Sequence, residues 1–375
     1  MTTIRRFSWL RSSSFLFLLS LLLLSSRDAR ADVFSSYQPA PSFSLPSASA
    51  LFDVGSDGRV VSLDGATVYR ESAPGSRAFT MLGTLPAGDI PSFGAAFIRV
   101  SPSGSQIAVG NNGGASFANF QVGVFSLPAL TGTWFNAGHF DAAWIDNRFL
   151  AVTAGAFGSP GVVTALDTAS PNPASPSNVT VIANVGGASG GIAFDAAGNL
   201  YTANGFQESG PSQTGEVHAF KKAAWTAAQA GGTALNFETQ GIPIVDLLSG
   251  SPLAFDLAGD LLVGGGNSFG SPPDGNYFAI VDAPAVQTAL AGGGLVNGAD
   301  SSKVRKLDPD SGAGSFYSVA ANATRREIYA VNVGSATVFV YSAAAAAVPA
   351  VPPLGLLACA SLLLLAGRRR VRARA

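Results

Sequence analysis

Short apolar segments joined by tight turns recur through the middle of the chain. The clearest copy covers residues 191–204, GIAFDAAGNLYTAN, where apolar residues alternate up to Asp195, a turn follows, and alternation resumes at Leu200. Alternation on both sides of a turn rich in Gly and Asn predicts two strands joined as a β-hairpin. Five further copies lie at residues 52–64, 98–111, 143–153, 253–265 and 318–332. More strand-like stretches follow at residues 122–125, 162–166, 217–220, 278–281 and 337–341.

The spacing of these hairpins predicts the fold. Their turns, at Gly58, Gly104, Asn147, Gly198, Gly259 and Arg326, lie 43 to 68 residues apart, and a four-stranded propeller blade takes roughly 40–50 residues. Two helix-prone inserts, residues 223–231 and 283–292, account for the longer intervals. Because one blade cannot bury both of its faces, such units stack around an axis. We therefore predict an all-β fold, a β-propeller over residues 51–342 with six blades, or seven; the alternative is an assembly of two-sheet sandwiches.

The repeat resembles β-propellers of the broad NHL and SMP-30 type. Blades of that type share the order apolar strand, Asp-x-x-Gly-Asn turn, apolar strand, and two copies here, residues 191–204 and 253–265, keep that order most clearly. The resemblance covers roughly residues 51–342 and implies the fold, but it carries no function by itself.

The first 31 residues have the pattern of a signal peptide. Basic residues at Arg5, Arg6 and Arg11 precede an apolar run of about ten residues and then the small residues Ala29 and Ala31. We expect cleavage after Ala31, because a permanent spanning helix, the alternative, needs roughly twenty apolar residues. Residues 32–50 are then predicted to be a linker.

The other end of the chain predicts a membrane-spanning sorting signal. An alanine linker, residues 343–347, leads to a short motif containing Val348, Pro349, Pro352, Pro353 and Gly355. An apolar stretch up to Gly367 follows, and then a cluster of arginines that the positive-inside rule keeps in the cytoplasm.

Residues 348–375 resemble the PEP-CTERM class of bacterial sorting signals, which exosortases process, although Ala350 and Val351 stand in place of the usual Glu. The resemblance implies export machinery and an exosortase-like sorting enzyme as partners. It also implies an exported protein of the cell surface or extracellular space, anchored in the inner membrane only through the tail before processing. A plain C-terminal anchor is the alternative, and it also puts the middle of the chain outside the cytoplasm.

Charge and cysteine content narrow the functions of the exported part, residues 32–347. Ten of the 22 basic residues lie in the two terminal segments, which leaves 12 basic against 22 acidic side chains. Such a surface repels nucleic acid and other anionic polymers, and it suits divalent cations or neutral glycans better. The single cysteine, Cys359, lies in the tail, so the exported part has neither a disulfide nor a thiol nucleophile.

Four phenylalanines follow second strands in loops of shared composition. They are Phe117, Phe157, Phe206 and Phe269. Equivalent loops of a propeller lie on one face, and aromatic rings beside Asn, Ser and Gly stack on sugars and hydrogen-bond their hydroxyls. These residues are therefore candidate ligand-binding positions for extracellular polysaccharide. The alternative is that each ring fills the gap between neighbouring blades.

Evidence for catalysis is sparse. In lactonase-like members of such folds, Asn, Asp and Glu in the axial channel hold a divalent metal. Here Asn111, Asn204 and Asn332 close second strands, no Glu does, and Asp64 is the only acidic equivalent. The two histidines, His139 and His218, have no nucleophile or metal-ligand partner at usable spacing, and His218 is predicted to lie on a strand face.

We therefore expect no catalytic residue and no cofactor, with a divalent cation such as calcium as the exception to test. The predicted function is a non-enzymatic binding or structural protein of the cell surface or extracellular matrix, displaying loops on a propeller. The alternative is a secreted, metal-dependent, lactonase-like hydrolase with a cation in the channel.

Overall fold

Twenty-six strands, nearly all of them short and antiparallel, make up the described part of the chain in the computed structural model. The structure describes residues 36–49, 51–86, 97–111, 120–155, 161–186, 188–206, 216–247, 250–265, 277–307, 316–332 and 334–343. Residues 37–343 form one unit. No helix among these residues has both the length and the apolar character needed to cross a membrane.

The strands form six sheets, which we number as blades in chain order after β1 (Tyr37–Ser44). Blade 1 contains β2 (Phe52–Val54), β3 (Val60–Asp64), β4 (Thr67–Glu71) and β5 (Phe79–Thr84), and blade 2 contains β6 (Phe97–Val100), β7 (Gln106–Asn111), β8 (Gln121–Ser126) and β9 (Gly132–Asn136). Blade 3 contains β10 (Asp141–Trp144), β11 (Phe149–Ala154), β12 (Gly161–Asp167) and β13 (Asn178–Val185).

The second half of the chain continues the same pattern and adds two edge strands and three short helices. Blade 4 contains β14 (Ala188–Phe194), β15 (Leu200–Phe206), β16 (Val217–Phe220) and β18 (Ile242–Asp246). Helix α1 (Lys222–Gln229), strand β17 (Leu235–Asn236) and helix α2 (Phe237–Gln240) come between β16 and β18 in the chain, and β17 pairs in parallel with β13 at the edge of blade 3. Blade 5 contains β19 (Leu253–Phe255), β20 (Leu261–Val263), β21 (Phe278–Val281) and β23 (Val304–Leu307), with helix α3 (Ala283–Thr288), a π-helical turn (Ala289–Gly293) and strand β22 (Val296–Asn297) before β23. Blade 6 contains β24 (Phe316–Asn322), β25 (Glu327–Asn332), β26 (Thr337–Ala343) and β1.

Within each blade we name the strands A, B, C and D from the axis outwards. The A strands contact one another in sequence around a full circle, from blade 1 through blade 6 and back to blade 1. This closed arrangement is a six-bladed β-propeller, as the hairpin spacing predicted, and it excludes the sandwich alternative. The two predicted helical inserts are also confirmed, because α1 and α3 both follow a C strand.

One prediction at the start of the propeller was wrong. Residues 37–44, assigned to a linker, form strand β1, which pairs antiparallel with β26 as the outermost strand of blade 6. The N-terminal strand therefore completes a blade whose other three strands come from the end of the domain. Pro39 and Pro41 interrupt its apolar pattern, and proline is tolerated in a strand at a sheet edge, where a missing N–H disrupts little.

Apolar side chains from neighbouring blades pack against each other to form the core. One cluster joins Val61 and Leu63 of blade 1 to Ile98 and Ile107 of blade 2, and corresponding clusters join blades 2 and 3, 3 and 4, 4 and 5, and 6 and 1. Between blades 5 and 6 the rings of Phe278 and Tyr341 meet with centroids 5.4 Å apart. The blades thus bury their faces against their neighbours, which is the physical reason for the repeat.

Blades 6 and 1 are also joined by a buried carboxylate. Glu327 accepts hydrogen bonds from Arg325 Nε at 2.9 Å and from the Tyr329 hydroxyl at 2.6 Å, and it pairs with Arg77 of blade 1 at 3.1 Å. Burial opposes ionisation of this carboxyl, but the hydrogen bonds from Arg325 and Tyr329 and the charge of Arg77 outweigh it, so the pKa of Glu327 is lowered. The Arg77 guanidinium also lies 4.4 Å from the ring centre of Phe43 in β1.

Candidate functional site

The antiparallel order of each blade separates its loops into two faces. Loops between strands B and C, together with the connections between blades, lie at one end of the strands, which we name the B–C face. The turns between strands A and B lie at the other end, the A–B face. Asn111 and Asn332 end B strands at the B–C face and are buried, whereas Asp64 at the equivalent place in blade 1 is exposed.

The most developed polar group on the B–C face lies in blade 4, around His218. This histidine is 2% exposed, at the start of strand C, and its ring stacks on that of Phe237 with centroids 4.1 Å apart. Nδ1 lies 3.0 Å from the carbonyl oxygen of Phe237, and Nε2 lies 2.8 Å from Oε2 of Glu216. Because the carbonyl can only accept, Nδ1 carries a hydrogen and donates it, while Nε2 faces the carboxylate of Glu216.

Glu216 is therefore a partly exposed carboxylate held by a buried imidazole. About 30% of its side chain is exposed, against 2% for His218. Asn204 lies beside it, because the Asn204 backbone N–H donates to the Glu216 carbonyl at 3.4 Å. The side-chain Oδ1 of Asn204 is buried and receives no hydrogen bond from any residue that the structure describes.

Asp246 and Lys306 extend this group towards blade 5. Burial, and then the charge of Glu216, raise the pKa of Asp246, while the charge of Lys306 acts in the opposite direction. The Lys306 ammonium lies 4.7 Å from the ring centre of Tyr277. We name Asn204, Glu216, His218, Asp246 and Lys306 the blade 4–5 cluster.

A second polar network joins the A strands of blades 1 to 4 near the axis. Asp53 accepts a hydrogen bond from the backbone of Val100 at 2.7 Å. Arg99 donates to the Ala142 carbonyl at 2.9 Å and to the carboxylate of Asp141. Asp141 in turn accepts from the backbone of Ile192 in blade 4 at 3.4 Å.

These axial charges connect blades. Burial raises the pKa of Asp53 and of Asp141, and the positive charge of Arg99 acts in the opposite direction at both. Thr153 reinforces the connection, because its hydroxyl donates to the Gly190 carbonyl at 2.9 Å. Within the described residues, no three His, Cys, Asp or Glu side chains are grouped to hold a metal ion.

His139 is packed as part of the core. It is 4% exposed, and its ring meets those of Phe97 and Phe120 edge-on, with centroids 5.4 and 5.3 Å away. Nδ1 lies 3.2 Å from the carbonyl oxygen of Ala137. His218 lies on a strand face, as predicted, but its pairing with Glu216 was not foreseen.

Most of the predicted binding and processing residues lie outside the described residues. Of the four loop phenylalanines, only Phe206 falls within them: its backbone ends strand β15 and pairs with Ala188. The positions outside are Phe117, Phe157, Phe269, Ala29, Ala31, Val348, Pro349, Pro352, Pro353 and Gly355. Their assigned roles stay predictions.

Four residues of these two polar groups were not predicted from the sequence: Glu216, Asp246 and the axial residues Arg99 and Asp141. The first had one available signal, since Glu216 is two residues from one of only two histidines. Arg99 and Asp141 are 42 residues apart and meet only because adjacent blades place equivalent strands side by side.

Solved structures with the same fold have different sequences. The chain is similar to the PQQ-bound aldose sugar dehydrogenase of Streptomyces coelicolor (TM-score 0.53, 14% identity, covering 82% of this chain and 98% of that one). It is also similar to the PQQ domain of pyranose dehydrogenase from Coprinopsis cinerea (TM-score 0.52, 12% identity, 82% and 95%). No protein-family model matches the chain, and no curated protein matches it. At these identities the likeness supports the propeller fold alone.

Proposed function

We propose that this protein is an exported, non-enzymatic binding protein of the cell surface or extracellular matrix, and that the B–C face of its propeller binds neutral polysaccharide. The observation that carries the proposal is the blade 4–5 cluster, in which buried His218 fixes the partly exposed carboxylate of Glu216. A carboxylate fixed in this way is preorganised to accept hydrogen bonds, and binding then loses little side-chain entropy.

The composition of the cluster suits sugar hydroxyls. A hydroxyl donates to carboxylate or amide oxygens, such as those of Glu216, Asp246 and Asn204, and accepts from an ammonium such as that of Lys306. The excess of acidic residues in 32–347 disfavours anionic polymers, so a neutral glycan is the better match.

The loop phenylalanines stay in the proposal as stacking residues. Phe117, Phe157 and Phe269 follow second strands in the sequence, as Glu216 also does, and Phe206 is the last residue of the second strand of blade 4. Aromatic stacking would supply apolar contact to sugar faces, while the blade 4–5 cluster supplies hydrogen bonds.

The cofactor of the two similar structures does not fit the described residues. PQQ is a tricarboxylated quinone, so its binding requires cationic groups. Among the described residues of the A strands, which lie nearest the axis, the cationic side chain is Arg99. It already donates hydrogen bonds to the carbonyls of Ile98 and Ala142 and to Asp141. We therefore derive no redox step for this chain.

A secreted, metal-dependent, lactonase-like hydrolase is the second candidate. The feature that favours it is the pair of acidic residues on the inner strands, Asp53 and Asp141. The positive charge of Arg99 acts to lower the pKa of both carboxyls, and Asp141 forms an ion pair with it. These carboxylates therefore already make contacts between blades. We prefer the binding function for this reason.

The test is binding of the purified protein to an array of neutral and anionic glycans. We expect binding to neutral glycans, and we expect Glu216→Gln to weaken it about tenfold, because a charge-assisted hydrogen bond becomes a neutral one while the bond from His218 is kept. The matched control is Asp64→Asn, which removes an exposed carboxylate from the same face of blade 1.

Two results would contradict the proposal. One is equal binding by the wild type and the Glu216→Gln variant, with equal melting temperatures. The other is calcium-dependent hydrolysis of lactones that a chelator abolishes, which would support the second candidate instead.

A further inference from the structure

Blades 4 and 5 have similar A–B turns, residues 195–199 and 256–260, which differ in one apolar residue, Ala196 against Leu257, and in one polar residue, Asn199 against Asp260. In blade 4, Asp195 Oδ1 accepts from the backbone of Ala197 and Asn199 at 2.9 and 2.8 Å. The Asn199 amide donates to Asp195 Oδ2 at 2.8 Å, and the Tyr201 hydroxyl reaches the same oxygen at 3.2 Å. Asn199 Oδ1 accepts from the backbone of Lys222, the first residue of α1, at 3.0 Å.

The turn of blade 5 repeats these contacts with aspartate in the place of Asn199. Asp256 Oδ1 accepts from the backbone of Ala258, Gly259 and Asp260 at 2.8, 2.9 and 2.9 Å. Asp260 Oδ1 accepts from the backbone of Ala283, the first residue of α3, at 2.7 Å. The equivalence of Asn199 and Asp260 therefore includes their helix contacts.

The remaining oxygen of Asp260 lacks the donor that its position requires. Asp260 is 2% exposed, and its Oδ2 is buried and receives no hydrogen bond from any described residue. Its side-chain partner is the carboxyl of Asp256, which occupies the place of Asp195 in blade 4. Two carboxylates cannot hydrogen-bond to each other without a proton.

The hydrogen bonds of Asp256 decide which carboxyl carries that proton. Both of its oxygens already accept, Oδ1 from three backbone N–H groups and Oδ2 from the Tyr37 hydroxyl at 2.6 Å. Both oxygens of Asp256 therefore act as acceptors. Asp260 Oδ2 is the oxygen left to donate, in the role that the Asn199 amide has in blade 4.

We propose that Asp260 is protonated in the folded protein at neutral pH and donates a hydrogen bond to the Asp256 carboxylate. Tyr37 is the first residue of β1, the N-terminal strand that completes blade 6, and its hydroxyl reaches the Asp256 carboxylate of blade 5. Through Tyr37, the protonated pair thus connects β1, the strand that completes blade 6, to blade 5.

The surroundings of the pair favour the neutral form of Asp260. Burial, then the charge of Asp256 and further that of Asp282, raise the pKa of Asp260 to about 8, while a hydrogen bond from the backbone of Ala283 opposes the increase. Tyr37 faces the pair from β1 as a hydroxyl whose own pKa burial raises.

Two arginines interact with Tyr37. Arg326, in the A–B turn of blade 6, acts on the Tyr37 hydroxyl by its charge. Arg305, on strand D of blade 5, donates to the Tyr37 carbonyl at 3.1 Å. Both of these contacts are made to Tyr37, and no cation among the described residues acts on the pKa of Asp260.

The sign of the pH dependence follows from the raised pKa. An unfolded aspartate has a pKa of about 4, and folded Asp260 has a pKa of about 8. At pH values between these two, the folded protein binds one more proton than the unfolded protein. The stability linked to this proton is fully present below pH 4 and is lost as the pH rises through 8. The ratio of the unfolding constant of the wild type to that of Asp260→Asn should rise by up to tenfold per pH unit in this window and be level above it.

The test compares two reciprocal variants of the full chain by denaturant unfolding between pH 5 and pH 10. Asp260→Asn recreates the turn of blade 4 and should remove this pH dependence. Asn199→Asp recreates the turn of blade 5 inside blade 4 and should add a second one of the same sign. The protection of the backbone amides of residues 37–44, measured as the exchange rate relative to the intrinsic rate at each pH, should fall above pH 8 in the wild type and not in Asp260→Asn.

Three results would overturn the proposal. The first is an unchanged pH profile in Asp260→Asn, and the second is the absence of a new dependence in Asn199→Asp. The third is a gain in wild-type stability on adding calcium at pH 9 that Asp260→Asn lacks, because the pair would then bind a cation. If either variant does not fold, infrared titration of the wild type decides: a protonated-carboxyl band lost near pH 8 supports the proposal, and its absence at pH 6 refutes it.

Discussion

The axial ion pair between Arg99 and Asp141 predicts a large loss of stability when the cation is removed. In Arg99→Met the apolar stem is kept and the charge is lost, so Asp141, whose side chain is 4% exposed, is left as a buried carboxylate without its ion-pair partner. Breaking a buried pair from one side costs about 3–5 kcal/mol. Since 17% of the Arg99 side chain reaches solvent, we take the lower end, about 3 kcal/mol.

That free energy converts to a measurable melting shift. Unfolding entropy is about 2.1 cal/mol/K per residue, or about 0.6 kcal/mol/K for a propeller of roughly 300 residues, so Tm should fall by about 5 °C. The assay is differential scanning calorimetry at pH 7. The matched control is Arg148→Met, which breaks the exposed pair with Asp167 in blade 3 and should lower Tm by less than about 2 °C.

A second substitution separates loss of charge pairing from loss of packing. Adding Asp141→Asn to Arg99→Met removes the uncompensated charge and should recover part of the lost Tm. The reasoning is refuted if Arg99→Met and Arg148→Met melt within 2 °C of each other, or if the double variant melts below Arg99→Met.

Three further predictions concern other parts of the chain. Glu327→Gln should lower the free energy of unfolding at pH 7 by about 2 kcal/mol. It should also flatten the acid limb of the stability–pH curve, because the lowered pKa of Glu327 gives stability that is present above pH 4.5 and lost as the pH falls through the folded value. An unchanged acid limb in urea titrations would argue against this role. Gly191→Ala should destabilise by about 1–3 kcal/mol, since its Cβ would lie 2.5 Å from a backbone nitrogen of blade 5, whereas Gly138→Ala, whose Cβ would meet its nearest neighbour at 3.7 Å, should melt close to the wild type. Replacing Pro349 and Pro352 together should leave the unprocessed chain in the inner membrane, as fractionation would show, and normal release would refute the sorting role.

The hairpin repeat made the fold predictable because each blade follows the same alternating pattern. Residues 253–265, for example, contain the turn and both inner strands of blade 5, and the sequence alone locates all three. Strand β1 was not predictable in this way, because Pro39 and Pro41 give an edge strand the composition of a linker. The helices α1 and α3 were predictable from their alanines.

The candidate site was less predictable because its residues come together through the ring. Glu216 and His218 are neighbours in sequence, but Lys306 joins them from another blade. Asp260 could be recognised only by comparing its turn with that of Asn199, and the burial that makes its proton necessary is a property of the folded protein.

We propose that the B–C face binds a neutral glycan without catalysis by an axial metal. The most direct measurement is a crystal structure of the purified protein grown with calcium and a neutral oligosaccharide selected on the array. We expect sugar hydroxyls hydrogen-bonded to Glu216 and Asp246, with Arg99 and Asp141 still paired. A cation bound at Asp53 and Asp141, with the B–C face empty, would contradict it and support the hydrolase.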